Sequence, residues 1–209
     1  MIIEDLLRLI LGVPPSTGKI KKDLAIMRRE TEDWYQALIP WQQEKELELL
    51  SLTQEKKWVK SSFDRILKGV FQSIYTEPMF TYAYVDYLKG KGKNGILLIR
   101  TKSHEFVYHV KKKLTEVIVD GQFVAAITPE GIMYSVRTRR QLGRISQIST
   151  EYFGIIIGEK EVAHLLNPEK IDRVNPRAFI ILENMTDQEE LLFTSISLIE
   201  VVLRTNKLI

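Results

Sequence analysis

Residues 186–204 read as a helix with almost no side left for water. Thr186-Asp187-Gln188-Glu189 has the spacing of a capping box, in which the Thr side chain and the Glu three residues on each satisfy one early backbone N–H. Behind it run Leu191, Leu192, Phe193, Thr194, Ser195, Ile196, Ser197, Leu198, Ile199, Glu200, Val201, Val202 and Leu203. At 100° per residue the apolar side chains fall almost all the way round. Glu189, Glu190, Glu200 and Arg204 share a polar wedge of roughly 100°. A helix of this kind must be covered on most sides. It is too short for a membrane span, and Glu200 lies too deep within it.

What precedes it supplies the cover. From Gly69 the chain breaks into short runs rich in Val, Ile, Tyr and Phe, separated by Gly, Pro, Asn or Asp. The expected strands are 69–75, 80–88, 95–101, 105–110, 114–119, 122–128, 131–136, 141–148, 152–157, 161–166 and 177–182. Asp120-Gly121 is the clearest tight hairpin turn, because Gly supplies a positive φ. Eleven or twelve strands exceed a comfortable open sheet. The expected fold is therefore mainly β: a closed antiparallel barrel around the buried C-terminal helix, with an N-terminal helical arm.

Three strand–turn–strand units repeat weakly over 116–165. Each return strand opens apolar–small–x–apolar: Val124-Ala125, Leu142-Gly143 and Val162-Ala163, spaced 18 and then 20 residues apart. Simple alternation puts the two large residues of each unit on different faces. The small residue between them suggests close approach of a neighbouring backbone.

The first sixty residues read as helical. Residues 2–11 form a short apolar helix stopped by Gly12-Val13-Pro14-Pro15. Ser16 or Thr17 caps a second helix that ends at Pro40, with Ile20, Leu24, Met27, Thr31, Trp34 and Leu38 on one stripe. A third spans Glu44 to about Thr53, and the polar, basic stretch 54–62 reads as a linker. The expected domains are an arm over 1–60 and a barrel over 61–209. Ile20, Leu24, Met27, Trp34 and Leu38 are candidates for partner binding, homo-oligomerisation or docking on the barrel.

Composition narrows function by exclusion. The 209 residues contain no cysteine, which removes disulfides, thiolate zinc sites and a cysteine nucleophile. The N-terminus is acidic where a signal peptide is basic, so the cytoplasm is the expected address, with a place at the membrane periphery open. His104, His109 and His164 show no metal-ligand spacing. There is no nucleophile elbow and no P-loop. No cofactor or metal is expected, and the chain does not read as an enzyme.

Charge points to an anionic partner. Residues 61–150 hold 14 basic and 7 acidic side chains, net +7, while 151–209 hold 6 and 10, net −4. The candidate anion-binding residues are Lys89, Lys91 and Lys93; Lys111, Lys112 and Lys113; and Arg137, Arg139, Arg140 and Arg144. Three such groups lie at expected hairpin turns, at the ends of a barrel. An anionic lipid surface, a protein partner and nucleic acid all remain open as partners.

The three hairpin units over 116–165 and the terminal helix 187–203 resemble the tubby C-terminal-like superfamily, which includes tubby domains, phospholipid scramblases and LURP-one-related proteins. The resemblance covers about 65–209 and implies a closed barrel threaded by an apolar C-terminal helix. It transfers no lipid-contacting residue, because the basic cluster of the eukaryotic phosphoinositide site has no aligned counterpart here. A calcium site like that of scramblases lacks an Asp/Asn-rich loop in this chain. The chain also resembles a group of bacterial proteins with the same helices-then-barrel layout, which brings no function with it.

Overall fold

The computed structural model describes residues 16–41, 44–60, 65–87, 94–170 and 175–208. The helix expected over 2–11 lies outside them. Three helices come first: α1 (Thr17–Glu30), α2 (Glu32–Gln36) and α3 (Glu44–Leu47). Twelve strands follow: β1 (Leu50–Lys60), β2 (Arg65–Ser73), β3 (Pro78–Asp86), β4 (Asn94–Arg100), β5 (Glu105–Lys111) and β6 (Thr115–Val119). Then come β7 (Gln122–Ile127), β8 (Ile132–Ser135), β9 (Gln141–Gln147), β10 (Tyr152–Ile157), β11 (Lys160–Leu166) and β12 (Phe179–Ile181). The last element is α4 (Asp187–Thr205).

The strands form one antiparallel sheet in sequence order, β1 to β12. The sheet curls until its two edges meet. Ser51 bridges Arg177, Ala178 N donates to Leu50 O at 2.7 Å, and Leu52 N donates to Pro176 O at 3.0 Å. Among the described residues closure is limited to that short seam, so the barrel is nearly closed.

The core of the barrel is α4. Its residues from Leu192 to Ile199 are all buried, as are Val201 to Leu203. Contacts come from around the wall. Phe179 of β12 meets Phe193 edge-on at 5.4 Å, Tyr108 of β5 donates its O–H to Ser195 O at 2.9 Å, and Arg204 lies 4.0 Å over the Phe153 ring of β10. The small polar residues inside satisfy themselves: Ser195 Oγ donates to Leu191 O and Ser197 Oγ to Phe193 O. The capping box is present, with Thr186 Oγ1 accepting from Glu189 N and Glu189 Oε2 accepting from Thr186 N. In the polar wedge, Glu200 pairs with Arg204 at 2.6 Å.

Each of the three repeat units contains a β-bulge at the same place. Val117 pairs with Ala125 and Ile118 with Phe123, leaving Val124 extra. Met133 pairs with Gly143 and Tyr134 with Gln141, leaving Leu142 extra. Ile155 pairs with Ala163 and Ile156 with Glu161, leaving Val162 extra. The bulge corrects the expectation that the two large residues face opposite ways. An extra residue resets the alternation, and Val124 and Ile127 join the same core. It also explains the small residue, since two consecutive side chains now turn inward and the second has little room. At Gly143 a Cβ would sit 2.7 Å from Ile156 O.

The N-terminal part departs from expectation in two places. The helix expected from residue 17 to Pro40 is interrupted at Thr31, which has φ −100° and ψ 0° and turns its Oγ1 onto Met27 O at 2.9 Å. The helix and linker expected over 44–62 are instead, over the described residues 44–60, a single turn of helix and then the long strand β1, with 61–62 outside the described residues. Leu50 and Leu52 find backbone partners across the seam, which removes the helix's advantage of internal pairing. α1 covers the outside of the barrel wall: Met27 is fully buried in a second cluster with Ile66, Ala83, Val85, Ile96 and Leu98.

Two substitutions test this construction. Phe193→Ala removes a fully buried ring from the centre. It is expected to cost about 3–5 kcal/mol, read as a fall in the urea midpoint. Gly143→Ala pushes a methyl against a backbone carbonyl and is expected to cost about 1–3 kcal/mol in the same assay, against near neutrality for a substitution at an exposed turn.

Candidate functional site

In a barrel of consecutive antiparallel strands, hairpin turns alternate between the two ends. The turns β1–β2, β3–β4, β5–β6, β7–β8, β9–β10 and β11–β12 share one end, and the others share the opposite end. This parity decides which basic residues can act together. Lys111, Lys112 and Lys113 lie at the β5–β6 turn, while Arg137, Arg139 and Arg140 lie at the β8–β9 turn, on the opposite end. Arg144 is exposed on β9, away from both turns. Lys89, Lys91 and Lys93 lie outside the described residues. The expected basic turns therefore do not form one patch.

The Lys end gains residues that the sequence reading placed in a linker. Register carries one row of paired residues across six strands: Val59, Ile66, Val85, Ile96, His109 and Glu116. The β1–β2 and β5–β6 tips both begin just beyond this row, at equivalent positions of the register on the same end of the wall. Lys60 pairs with Arg65 one step toward the tip, and Trp58 pairs with Leu67 one step back. Trp58 and Leu67 belong to the row that faces the barrel interior, since Leu67 is in the core. Trp58 is nevertheless 54% exposed, because β1 has left the closing seam by then. The Arg65 guanidinium sits 5.2 Å over its ring.

At this end Lys60, Arg65, Lys112 and Lys113 are exposed on the β1–β6 side, and Glu130, Glu151 and Glu169, with Lys170 among them, are exposed on the β7–β12 side. The C-terminus of α4 points to the same end, where Asn206 Oδ1 accepts from Lys56 Nζ at 3.0 Å and from Gln54 Nε2 at 3.2 Å. Lys111 is held by Glu116 at 2.6 Å, and Glu116 also lies 3.2 Å from His109. Burial, then the Lys111 charge, holds His109 below its ordinary value of 6.5, against the pull of Glu116.

A pocket of about 150 Å³ lies at the opposite end, lined by Tyr35, Arg100, Lys102, His104, Glu105 and Asp120 among others. Its charges pair with one another. Arg28 holds Glu105 with two bonds of 2.6 and 2.9 Å, Arg100 holds Glu32 at 2.9 Å, and the Arg100 guanidinium stacks 3.6 Å from the Tyr35 ring. His104 Nδ1 meets Asp120 Oδ2 at 2.7 Å. Burial pushes the Asp120 carboxyl up, but the Glu105 N–H and His104 outweigh it and hold it low. The Asp120-Gly121 turn has both φ values positive, at 50° and 79°, as its sequence predicts. These groups clamp the helical arm to the barrel: Arg28, Glu32 and Tyr35 come from the arm, Arg100 and Glu105 from the wall.

The partner-binding candidates are used within the chain. Met27 and Leu38 are buried, Ile20 and Leu24 pack against the outer wall cluster, and Trp34 lies under the cations of Lys57 and Lys68 at 5.2 and 5.4 Å. The histidines stand apart, with His164 beside Glu161 at 3.3 Å. Among the described residues no three His, Cys, Asp or Glu side chains gather as a metal site, and no helix is long and apolar enough to cross a membrane. Compared with known proteins, the chain matches no family model, no curated protein and no solved structure.

The His109 environment sets a pH dependence. Its folded pKa is lower than its unfolded one, so the unfolded chain takes up the proton first as pH falls. Stability is expected to decline as pH drops below 6.5 and to level off below the folded value. His109→Asn should flatten that part of the profile in urea titrations between about pH 7 and pH 5. Parallel profiles for the two proteins would contradict the assignment.

Proposed function

We propose that this chain is a non-catalytic binding module that docks on an anionic phospholipid surface through the basic side of one barrel end. The observation that carries the reading is that two basic hairpin tips occupy one barrel end in matching register. It sets Lys60 and Arg65 at the same barrel end as Lys112 and Lys113, with two strands between the hairpins and the exposed ring of Trp58 under Arg65. A membrane asks for no deep pocket. It asks for cations that reach headgroup phosphates and for an aromatic ring that is wet at one edge and apolar on its face.

The magnitudes fit a reversible contact. Each basic side chain near an anionic leaflet contributes about 1 kcal/mol. Four of them give about 4 kcal/mol, a dissociation constant near the millimolar range. Trp58 supplies the apolar contribution that charge alone lacks. A barrel built around a C-terminal helix is also the architecture that the tubby-like resemblance implies, and we propose that kinship on this ground.

Vesicle co-sedimentation tests the reading. Retention on phosphatidylserine-containing vesicles, none on phosphatidylcholine alone, and a blue shift of Trp fluorescence are expected. Lys112→Ala with Lys113→Ala should weaken retention tenfold or more, on the order of 1 kcal/mol for each residue. Arg137→Ala with Arg139→Ala, at the other end, should leave it unchanged. Equal sensitivity to both pairs would overturn the reading. Duplex DNA held more tightly than vesicles at matched salt would replace lipid by nucleic acid as the partner.

A further inference from the structure

The arm covers the outer wall over β2 to β5, and the outer wall over β9 to β12 carries apolar side chains of its own. Register fixes which residues share that face. Phe153, Ile155 and Leu165 turn into the core, so the residues between them turn out. Three rows cross the face: Arg144, Ile156 and Glu161; then Ser146, Gly154, His164 and Ile180; then Ile148 beside Tyr152. The rows are continuous. At Gly154 a Cβ would meet Glu161 Oε1 at 2.6 Å and Ile148 Cγ2 at 2.9 Å, so both side chains lie flat across the glycine. The Tyr152 and His164 rings are 6.1 Å apart. Ile148 is 49% exposed and Ile180 44%. Exposed apolar side chains joined in this way mark a surface that takes a partner.

We propose that this face binds a second copy of the same chain in a two-fold dimer. Charge chooses the occupant. Arg144 is exposed on β9 and has no ion pair among the described residues. Glu161 stands in the same row two strands away, with one oxygen 3.3 Å from His164. A two-fold axis along β10, lying between two such faces, sets β9 of each copy over β11 of the other at the same height. Arg144 of each copy then faces Glu161 of the other, and Ile156 meets its own counterpart. An axis across the strands would instead set Arg144 against Ile148, which places a charge on an apolar side chain. One row thus holds both halves of a complementary pair, as a self-facing surface requires. The wall is convex, so the contact is confined to β9, β10 and β11 and the dimer is a reversible one.

The inference does not rest on the lipid reading, because the face lies on the wall and not at the basic end, and it is tested without vesicles. The 209-residue chain is followed by sedimentation equilibrium over a concentration series. A monomer–dimer equilibrium is expected. Arg144→Glu and Glu161→Arg each set like charges opposite one another and should each weaken the dimer about tenfold or more. The two together should restore it. Thermal midpoints should stay close to that of the parent, since both side chains are exposed. The chain has no cysteine, so Ile156→Cys marks the axis. A short bis-maleimide should link two copies through that position, whereas Arg137→Cys, on an exposed turn, should stay unlinked. Three results would overturn the proposal: a monomer at every concentration, a dimer indifferent to both single reversals, or a double variant no tighter than either single one. A monomer in which Ile180→Cys resists a water-soluble thiol reagent would overturn it in favour of residues 1–15 of the same chain as the cover of this face.

Discussion

The burial of one helix on nearly all sides is the constraint from which the rest of this molecule follows. A helix packed against a flat sheet covers one stripe. α4 has Leu192, Phe193, Ile196, Leu198, Ile199, Val201, Val202 and Leu203 spread around its axis, and each is buried. Satisfying them takes a wall that curves back on itself. The three bulges at Val124, Leu142 and Val162 bend that wall in its second half, where the return strands lie close to the helix. At the seam the edges meet through a few backbone bonds, enough to bring Phe179 against Phe193.

The wall is not covered equally outside. Over β2 to β5 both faces are apolar: Tyr82, Leu97 and Tyr108 turn in, and Val85, Ile96 and Leu98 turn out under Met27. The arm is therefore part of how those strands are kept from water. Its polar attachments, Arg28 to Glu105, Arg100 to Glu32 and Lys68 to Glu30, surround that small apolar contact. Arg28 and Glu105 are both partly exposed, whereas Arg100 and Lys68 are largely buried cations, each held by a more exposed carboxylate of the arm. With the arm over β2 to β5, the two ends and the outer faces of the later strands, where Phe123 and Ile180 are exposed, are open to a partner.

Local features were legible in the sequence, and features shared between strands were not. Thr186 and Glu189 announce their capping box within four residues, and Asp120-Gly121 announces its turn within two. The helix's need for cover follows from its composition alone. β1 was missed because Thr53-Gln54-Glu55-Lys56-Lys57 has no apolar alternation, as an edge strand does not need one. Trp58 and Arg65 went with it, although Trp58-Val59 and Ile66-Leu67 flank a polar turn in the manner of a hairpin. The Val-Ala, Leu-Gly and Val-Ala pairs were visible as a repeat, but a bulge is a property of two strands and its meaning appears only with the partner's register. The division of the basic turns between two ends needed only strand parity: three strands separate the β5–β6 turn from the β8–β9 turn, so Lys112 and Arg139 cannot share an end.

The order of elements along the chain has a consequence for how the molecule comes into being. All twelve strands precede the helix they enclose. Until α4 arrives, the inward rings of Phe80, Tyr82, Phe106 and Tyr108 have only neighbouring rings of the sheet to pack on, and the bulged strands have no object to curve around. The first strand must also wait for residues 176–178 before its seam can form. Such contacts span most of the chain, and closing loops of that length comes before any reward from burial. The nascent sheet is thus a surface in search of its core, with sticky rings and an open edge on display at once. Lysines along β1 suit that interval, because charge on an open edge discourages one incomplete sheet from pairing with another.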